Sequence, residues 1–206
     1  MKTTLCHINI NFLKAAAFIS LIVFVSFGNG YAGISAPVNW QQIHTENTIL
    51  YFQNMDDLNR FNTRINYNPN NDNSDSRLAV TISKKIDALF RKSQDLLEMK
   101  GFTNKINVKI FSNRQQLNHA FYALYKKECN ARAWYAHEKL TIYIQLDDLY
   151  EGMLAHEFAH AIIDHYMIIP PPGKAAEILA RYVDTHLQME AIKNSSESQI
   201  KAYSTK

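Results

Sequence analysis

The segment between Leu149 and Ile163 constrains the fold most, because it is apolar around nearly its whole helical circumference and still contains His156, Glu157 and His160. A helix that is apolar on all sides is a buried helix. Polar side chains inside such a helix are costly unless they have a partner. His156 and His160 lie four residues apart and therefore project from one face, one turn from each other. The segment predicts a buried helix whose two imidazoles hold a metal ion.

The five residues His156-Glu157-Phe158-Ala159-His160 suit a catalytic zinc site in particular. Two imidazoles one turn apart can hold one zinc ion at about 2.0–2.1 Å each. Glu157 projects about 100° away from His156, so it lies near the ion without being aimed at it. We therefore expect Glu157 to act as a base towards water held at the metal. For so short a motif, the alternative is a chance match with ordinary core or surface histidines.

A catalytic zinc ion needs a third protein ligand and an open position. His165 is unsuitable, because it projects about 180° from His156 on the same helix. Asp164 has a short side chain and sits a full turn beyond His160. Glu177 is the best candidate, because it follows a proline-rich turn and lies early in a helix that can fold back antiparallel to the first. The alternative for Glu177 is a solvated carboxylate at a helix start, which its apolar neighbours disfavour.

Other polar residues near these positions have open roles. Asp184 is seven residues after Glu177 and so on the same helical face. It either orients a metal-bound histidine or is an ordinary exposed carboxylate. Five residues could donate a hydrogen bond to a developing oxyanion, and spacing does not choose among them: Tyr135, His137, Arg181, Tyr182 and His186.

The rest of the chain alternates between short strands and amphipathic helices. Periodicity and turn residues predict a hairpin at 38–53, helices at 56–65, 78–99 and 114–127, a strand at 106–110 and a second hairpin from 131–136 and 140–146. A polar loop at 66–76 could separate an N-terminal accessory piece from the main domain. Asp148 and Glu151 have the spacing of a capping box at the start of the histidine helix. A final helix is expected from about Lys174 to Ile192, followed by a frayed polar tail.

The N-terminal 32 residues have the features of a secretory signal. Lys2 and Lys14 precede or flank an apolar run at 15–27, and small residues end at Ala32, where we expect cleavage. An uncleaved membrane anchor is the alternative. Without this segment Cys129 is the one remaining cysteine, so no internal disulfide is expected. Removing the two lysines leaves 20 of the 22 basic residues against 19 acidic ones, a balance that argues against nucleic acid as a partner.

This combination of residues resembles the gluzincins, zinc metallopeptidases whose motif His-Glu-x-x-His is completed by a glutamate on a following helix. The matching residues are His156, Glu157 and His160, then Glu177 within 175–184. The resemblance covers roughly residues 78–192 and is greatest to the small minigluzincins. Two features depart from the pattern. Arg181 stands where many members have a carboxylate, and the large C-terminal subdomain of thermolysin-like members has no counterpart.

The resemblance implies an α+β, zincin-like metallopeptidase domain at 77–192. Its small mixed or antiparallel sheet would pack on a backing helix, an active-site helix and a glutamate helix. The strand at Leu140–Leu146 would border the cleft and pair with extended substrate. The other segments are then a signal peptide at 1–32, an N-terminal accessory segment at 33–76 and a polar tail at 193–206.

The expected function is that of a zinc-dependent metalloendopeptidase with one Zn²⁺ ion, acting on peptide or protein substrates. The protein is expected to be exported, periplasmic or secreted, with no membrane contact after signal cleavage. One alternative is a non-catalytic zinc-containing binding module. Another is a latent peptidase whose cleft is blocked by its own N-terminal or C-terminal segment. Cleavage specificity and oligomeric state stay open.

Overall fold

The structure is a computed structural model that describes residues 39–67, 77–101 and 104–204. The predicted signal segment at 1–32 and most of the polar loop at 66–76 lie outside these described residues. The described chain forms five strands and five helices around one mixed sheet, so the expected α+β class is confirmed. Among these residues, no helix has both the length and the apolar composition needed to cross a membrane. Cys129 is disulfide-bonded in the full-length chain; the expectation of no internal disulfide concerns the chain without residues 1–32 and stays a prediction.

The N-terminal hairpin forms as predicted. Strands β1 (Gln41–His44) and β2 (Thr48–Phe52) pair antiparallel, and helix α1 (Met55–Arg64) follows. The turn between the strands is ordered by the buried carboxylate of Asp87, which accepts hydrogen bonds from the Thr45 hydroxyl at 2.8 Å and from the Asn47 backbone amide at 2.9 Å. Because Asp87 belongs to helix α2 (Leu78–Leu97), the hairpin is tied to the main helical layer.

The sheet has the order β1-β2-β3-β5-β4, with β3 at Ile106–Phe111, β4 at Ala133–Ala136 and β5 at Thr141–Gln145. Strands β2, β3 and β5 are parallel, and the two edge strands run antiparallel to them. The predicted edge position of Leu140–Leu146 is wrong. Within that segment, Ile142 pairs with Val108 on one side and with Tyr135 on the other. The edge strand beside the histidine helix is therefore β4.

The two faces of the sheet bury two separate apolar clusters. The larger cluster lies between the sheet and helices α1, α2, α4 and α5, and β5 contributes Ile142 and Ile144 to it. The smaller cluster lies under helix α3 (Arg114–Tyr125) and contains Trp134 stacked on Tyr143. Because β5 faces apolar residues on both sides, all five of its residues are buried, as expected of a central strand.

The histidine helix, α4, runs from Glu151 to Tyr166, and the glutamate helix, α5, from Gly173 to Ser204. The predicted capping box is absent: Tyr150 precedes the helix without a side-chain cap, because Asp148 instead binds Arg114 at 2.7 Å. The expected end of the final helix at about Ile192 is also wrong. The stretch 193–204 contains neither glycine nor proline to stop the helix, so α5 continues through it.

Candidate metal centre

Helices α4 and α5 pack against each other and bring the three predicted ligands together. His156 and His160 project from one face of α4, and their Nε2 atoms are 3.2 Å apart. The Pro172 carbonyl accepts the amide hydrogens of Ala175 and Ala176, which starts α5 and places Glu177 in its second turn. Glu177 Oε2 lies 3.7 Å from Nε2 of His156 and 3.6 Å from Nε2 of His160.

The spacing of these three atoms fits a single metal ion. Three atoms separated by 3.2, 3.6 and 3.7 Å lie on a circle with a radius of about 2.0 Å, which matches zinc–ligand distances of about 2.0–2.2 Å. All three side chains are largely buried; the exposed fractions are 14% for His156, 22% for His160 and 10% for Glu177. Among the described residues, these three are the ones whose potential ligand atoms all lie within 4.8 Å of one another. It could hold one metal ion.

The protonation states of His156 and Glu177 suit a cation. Burial acts to lower the pKa of His160, but its contact with Glu177 and the nearby carboxylates outweigh burial and raise this pKa. Burial, together with the charge of His160, lowers the pKa of His156 to about 4. Burial acts to raise the pKa of Glu177, but the approach of His160 and the hydrogen bond from Arg181 outweigh it and hold this pKa at about 2. Near neutral pH, His156 is therefore neutral and Glu177 is ionised. Metal ligands have to be in these forms to bind.

Glu157 is buried beside the three ligands but is not one of them. Only 8% of it is exposed. Burial raises the pKa of its carboxyl to about 7, against the lowering effects of the His160 charge and of a hydrogen bond from the Tyr135 backbone amide. A carboxyl group with this pKa can both accept and donate a proton near neutral pH.

The Tyr135 backbone amide acts on the pKa of Glu157 and belongs to the edge strand of the sheet. The Gln145 amide donates to the Arg132 carbonyl, so this pair is a hydrogen-bonded one. Antiparallel pairs alternate, and Ala133 and Tyr135 therefore direct their backbone N–H and C=O groups away from β5. No strand among the described residues pairs with this side of β4. The edge of β4 thus faces α4 with backbone groups available for pairing.

Arg181 contacts the metal-binding group directly. Its Nε donates to Oε1 of Glu177 at 2.8 Å, while Oε2 faces the two histidines. This bond to Glu177 differs from the oxyanion-donor role expected for Arg181 from the sequence, which did not anticipate the bond. The spacing of four residues on one helix was the available signal, because side chains at that spacing are neighbours.

Asp184 lies close to α4 at the turn before His156. Its Oδ1 accepts from Gln188 at 2.7 Å and its Oδ2 from the Tyr150 hydroxyl at 3.3 Å. It approaches Gly152 so closely that a Cβ at position 152 would lie 1.9 Å from Oδ1. The charge of Asp184 acts on His156, although its hydrogen bonds are to other residues.

The remaining oxyanion candidates are engaged elsewhere. The Tyr135 hydroxyl is 2.9 Å from Nε2 of His165, and Nδ1 of His137 is 3.2 Å from Oδ2 of Asp164. Tyr182 and His186 pack on each other with ring centroids 3.8 Å apart. Four of the five candidates therefore bind neighbours outside the metal group, and Arg181 alone among them contacts a metal ligand in the described structure.

Comparison with known proteins provides no family assignment. No protein-family model, curated protein or solved structure matches the chain. The case for function therefore depends on the geometry of His156, Glu157, His160 and Glu177.

Proposed function

We propose that this chain is a zinc-dependent peptidase in which His156, His160 and Glu177 bind the ion and Glu157 is the general base. The observation that carries the proposal is the grouping of three ligand atoms around one point, with a second buried carboxylate, Glu157, beside them. A structural zinc site needs ligands alone. A buried carboxyl group with a pKa near 7 is expensive to keep, and it is what hydrolysis by an activated water requires.

The chemistry divides between the ion and the protein. When bound, zinc supplies a Lewis acid that acidifies water and polarises a carbonyl group. Glu157 takes a proton from the attacking water as the water adds to the peptide carbonyl carbon. The same carboxyl then passes the proton to the leaving amine nitrogen, and the C–N bond breaks. The Tyr135 backbone amide lies close enough to Glu157 to lower the pKa of its carboxyl and so to favour the ionised base.

The open edge of β4 is the proposed binding surface for substrate. An extended peptide can add to such an edge as a further strand. The Tyr135 amide is occupied by Glu157, so the Tyr135 carbonyl and the backbone groups of Ala133 remain for the peptide. Pairing there would place the peptide alongside α4, next to the ligands. In this proposal, β4 takes the role of pairing with extended substrate, which the family resemblance implied for Leu140–Leu146.

The zincin-like architecture, of gluzincin type, is part of this proposal. A mixed sheet with an antiparallel edge strand, an underlying helix with the two histidines and a following helix with the glutamate support it. Secretion or export to the periplasm, by way of residues 1–32, belongs to the same proposal. Strand β1 lies at the sheet edge opposite β4. Its position supports a cleft that residues 39–64 do not block, rather than a latent peptidase.

The test compares Glu157→Gln with Glu151→Gln, a matched change six residues earlier on α4. We expect Glu157→Gln to bind one zinc ion per chain, as measured by elemental analysis, and to lose cleavage of a broad peptide library. Glu151→Gln should keep both properties. Cleavage by the Glu157→Gln protein would rule out the proposed base. Stoichiometric zinc with no turnover by the wild-type protein would instead favour the non-catalytic binding module.

A further inference from the structure

Glu177 divides its two carboxylate oxygens between two different partners. Oε2 is the atom 3.7 and 3.6 Å from the histidine Nε2 atoms. Oε1 accepts the hydrogen bond from Arg181 Nε at 2.8 Å. The two residues are four apart on α5, so the helix itself fixes this arrangement. The guanidinium therefore binds the carboxylate oxygen other than the one paired with the histidines.

A carboxylate can bind a cation through one oxygen or through both. Turning Glu177 so that both oxygens face the histidines would break the bond from Arg181. That bond joins a cation to an anion, and such bonds are roughly twice as strong as neutral ones. We propose that Arg181 is a positioning residue that keeps Glu177 a one-oxygen ligand and so leaves a coordination position open. The inference depends on the proposed metal site.

Helix stabilisation alone is a weak explanation for this pair. The Arg181 side chain is 58% exposed, and exposed ion pairs contribute little to stability. Glu177, by contrast, is buried and points at the ligand group. The pair of Arg91 and Glu46 provides a comparison on the far side of the molecule, since it has a similar 2.7 Å contact but both partners are exposed, at 50% and 69%.

Cobalt(II) in place of zinc reports the coordination number through its visible absorption, because geometry determines the intensity of these bands. We would compare the wild type with Arg181→Met, Arg181→Lys and Arg91→Met, each loaded with one equivalent of Co²⁺. Arg181→Met frees Oε1, and we expect molar absorbance to fall by about twofold or more as the second oxygen binds. Arg181→Lys should restore most of the intensity, since its ammonium group can also donate to Oε1. Arg91→Met should match the wild type.

The outcomes separate this inference from the proposed function. An Arg181→Met spectrum equal to that of the wild type would overturn the positioning role and leave the peptidase proposal standing. Failure of the Arg181→Met protein to bind Co²⁺ would also overturn the positioning role, because Arg181 would then be needed for metal binding and not only for the orientation of Glu177. A wild-type protein without bound Co²⁺ would overturn both. The expected spectra in a protein that cleaves no peptide would support the positioning role and remove the peptidase function alone.

Discussion

Gly152 is predicted to be the position that sets the distance between the two ligand-bearing helices. It lies one turn before His156 on α4, and its missing side chain leaves room for Asp184 of α5. A Cβ there would lie 1.9 Å from Asp184 Oδ1 and 3.0 Å from Asp184 Cγ. To reach an ordinary contact, Oδ1 would have to move by about 1.5 Å. Gly152→Ala therefore forces either Asp184 or α5 away from α4.

Two effects of opposite sign determine the magnitude. Overpacking of this kind costs about 1–3 kcal/mol. Replacing glycine by alanine inside a helix gains about 1 kcal/mol of stability. With Asp184 present, Gly152→Ala should therefore change the free energy of unfolding by between about 0 and −2 kcal/mol. In an Asp184→Ala background the carboxylate is gone and the remaining close atom is Tyr150 Cε2, 2.8 Å from the added Cβ, so the same substitution should be less destabilising by about 1–3 kcal/mol.

The assay is urea unfolding of the metal-free protein for the wild type, both single variants and the double variant. The quantity of interest is the interaction energy between the two positions, which we expect to be about 1–3 kcal/mol. Metal-free protein is used so that ligand binding does not enter the comparison. An interaction energy below about 0.5 kcal/mol, the ordinary error of additivity, would refute the close packing of Gly152 on Asp184.

Two further predictions concern the third ligand and the acid sensitivity of the fold. Glu177→Ala should weaken zinc binding by about 100-fold or more, which exceeds the effect typical of residues that only support a ligand. Glu190→Ala, on the same helix, should leave zinc affinity unchanged. Chelator competition measures the zinc affinity of both variants, and an undiminished affinity in Glu177→Ala would remove Glu177 as a ligand. Burial acts to raise the pKa of Asp148, but the hydrogen bond from Arg114 and the charge of Arg132 outweigh it and lower this pKa. Its stabilising effect is therefore present above the unfolded-state pKa of about 3.9 and is lost as the pH falls through the lower folded-state value. Asp148→Asn should be less stable than the wild type at neutral pH, and the difference in unfolding free energy should shrink below about pH 4. A difference that stays constant with pH would contradict the lowered pKa of Asp148.

The parts of the site that follow from helix periodicity could be predicted from the sequence. The positions of His156, Glu157 and His160 on one turn depend only on the 3.6-residue period. Glu177 could be nominated because Pro170, Pro171 and Pro172 exclude helix between the end of α4 at Tyr166 and the start of α5, and leave a connection too short for α5 to go elsewhere. The hairpins and helices α1 to α3 were likewise visible as local patterns of apolar and turn residues.

The position of each strand in the sheet could not be predicted in the same way. Apolar alternation identifies β5 as a strand, but its pairing with β3 joins residues more than thirty positions apart, such as Val108 and Ile142. The choice of neighbour depends on how both faces of the sheet are covered, which local pattern does not encode. For the same reason, the hydrogen bond from the Tyr135 amide to Glu157 was not foreseen, because it requires β4 to be the edge strand.

The small size of the proposed site follows from how few elements it needs. Helix α4 provides two ligands and the base, because positions 156, 157 and 160 cover adjacent parts of one turn. Helix α5 provides the third ligand and, through Arg181, the group that orients it. Strand β4 provides the amide that holds the base and the free edge beside it. Three neighbouring elements therefore contain every residue in the proposal, and the main structural variable is the spacing of α4 and α5, which Gly152 and Asp184 control.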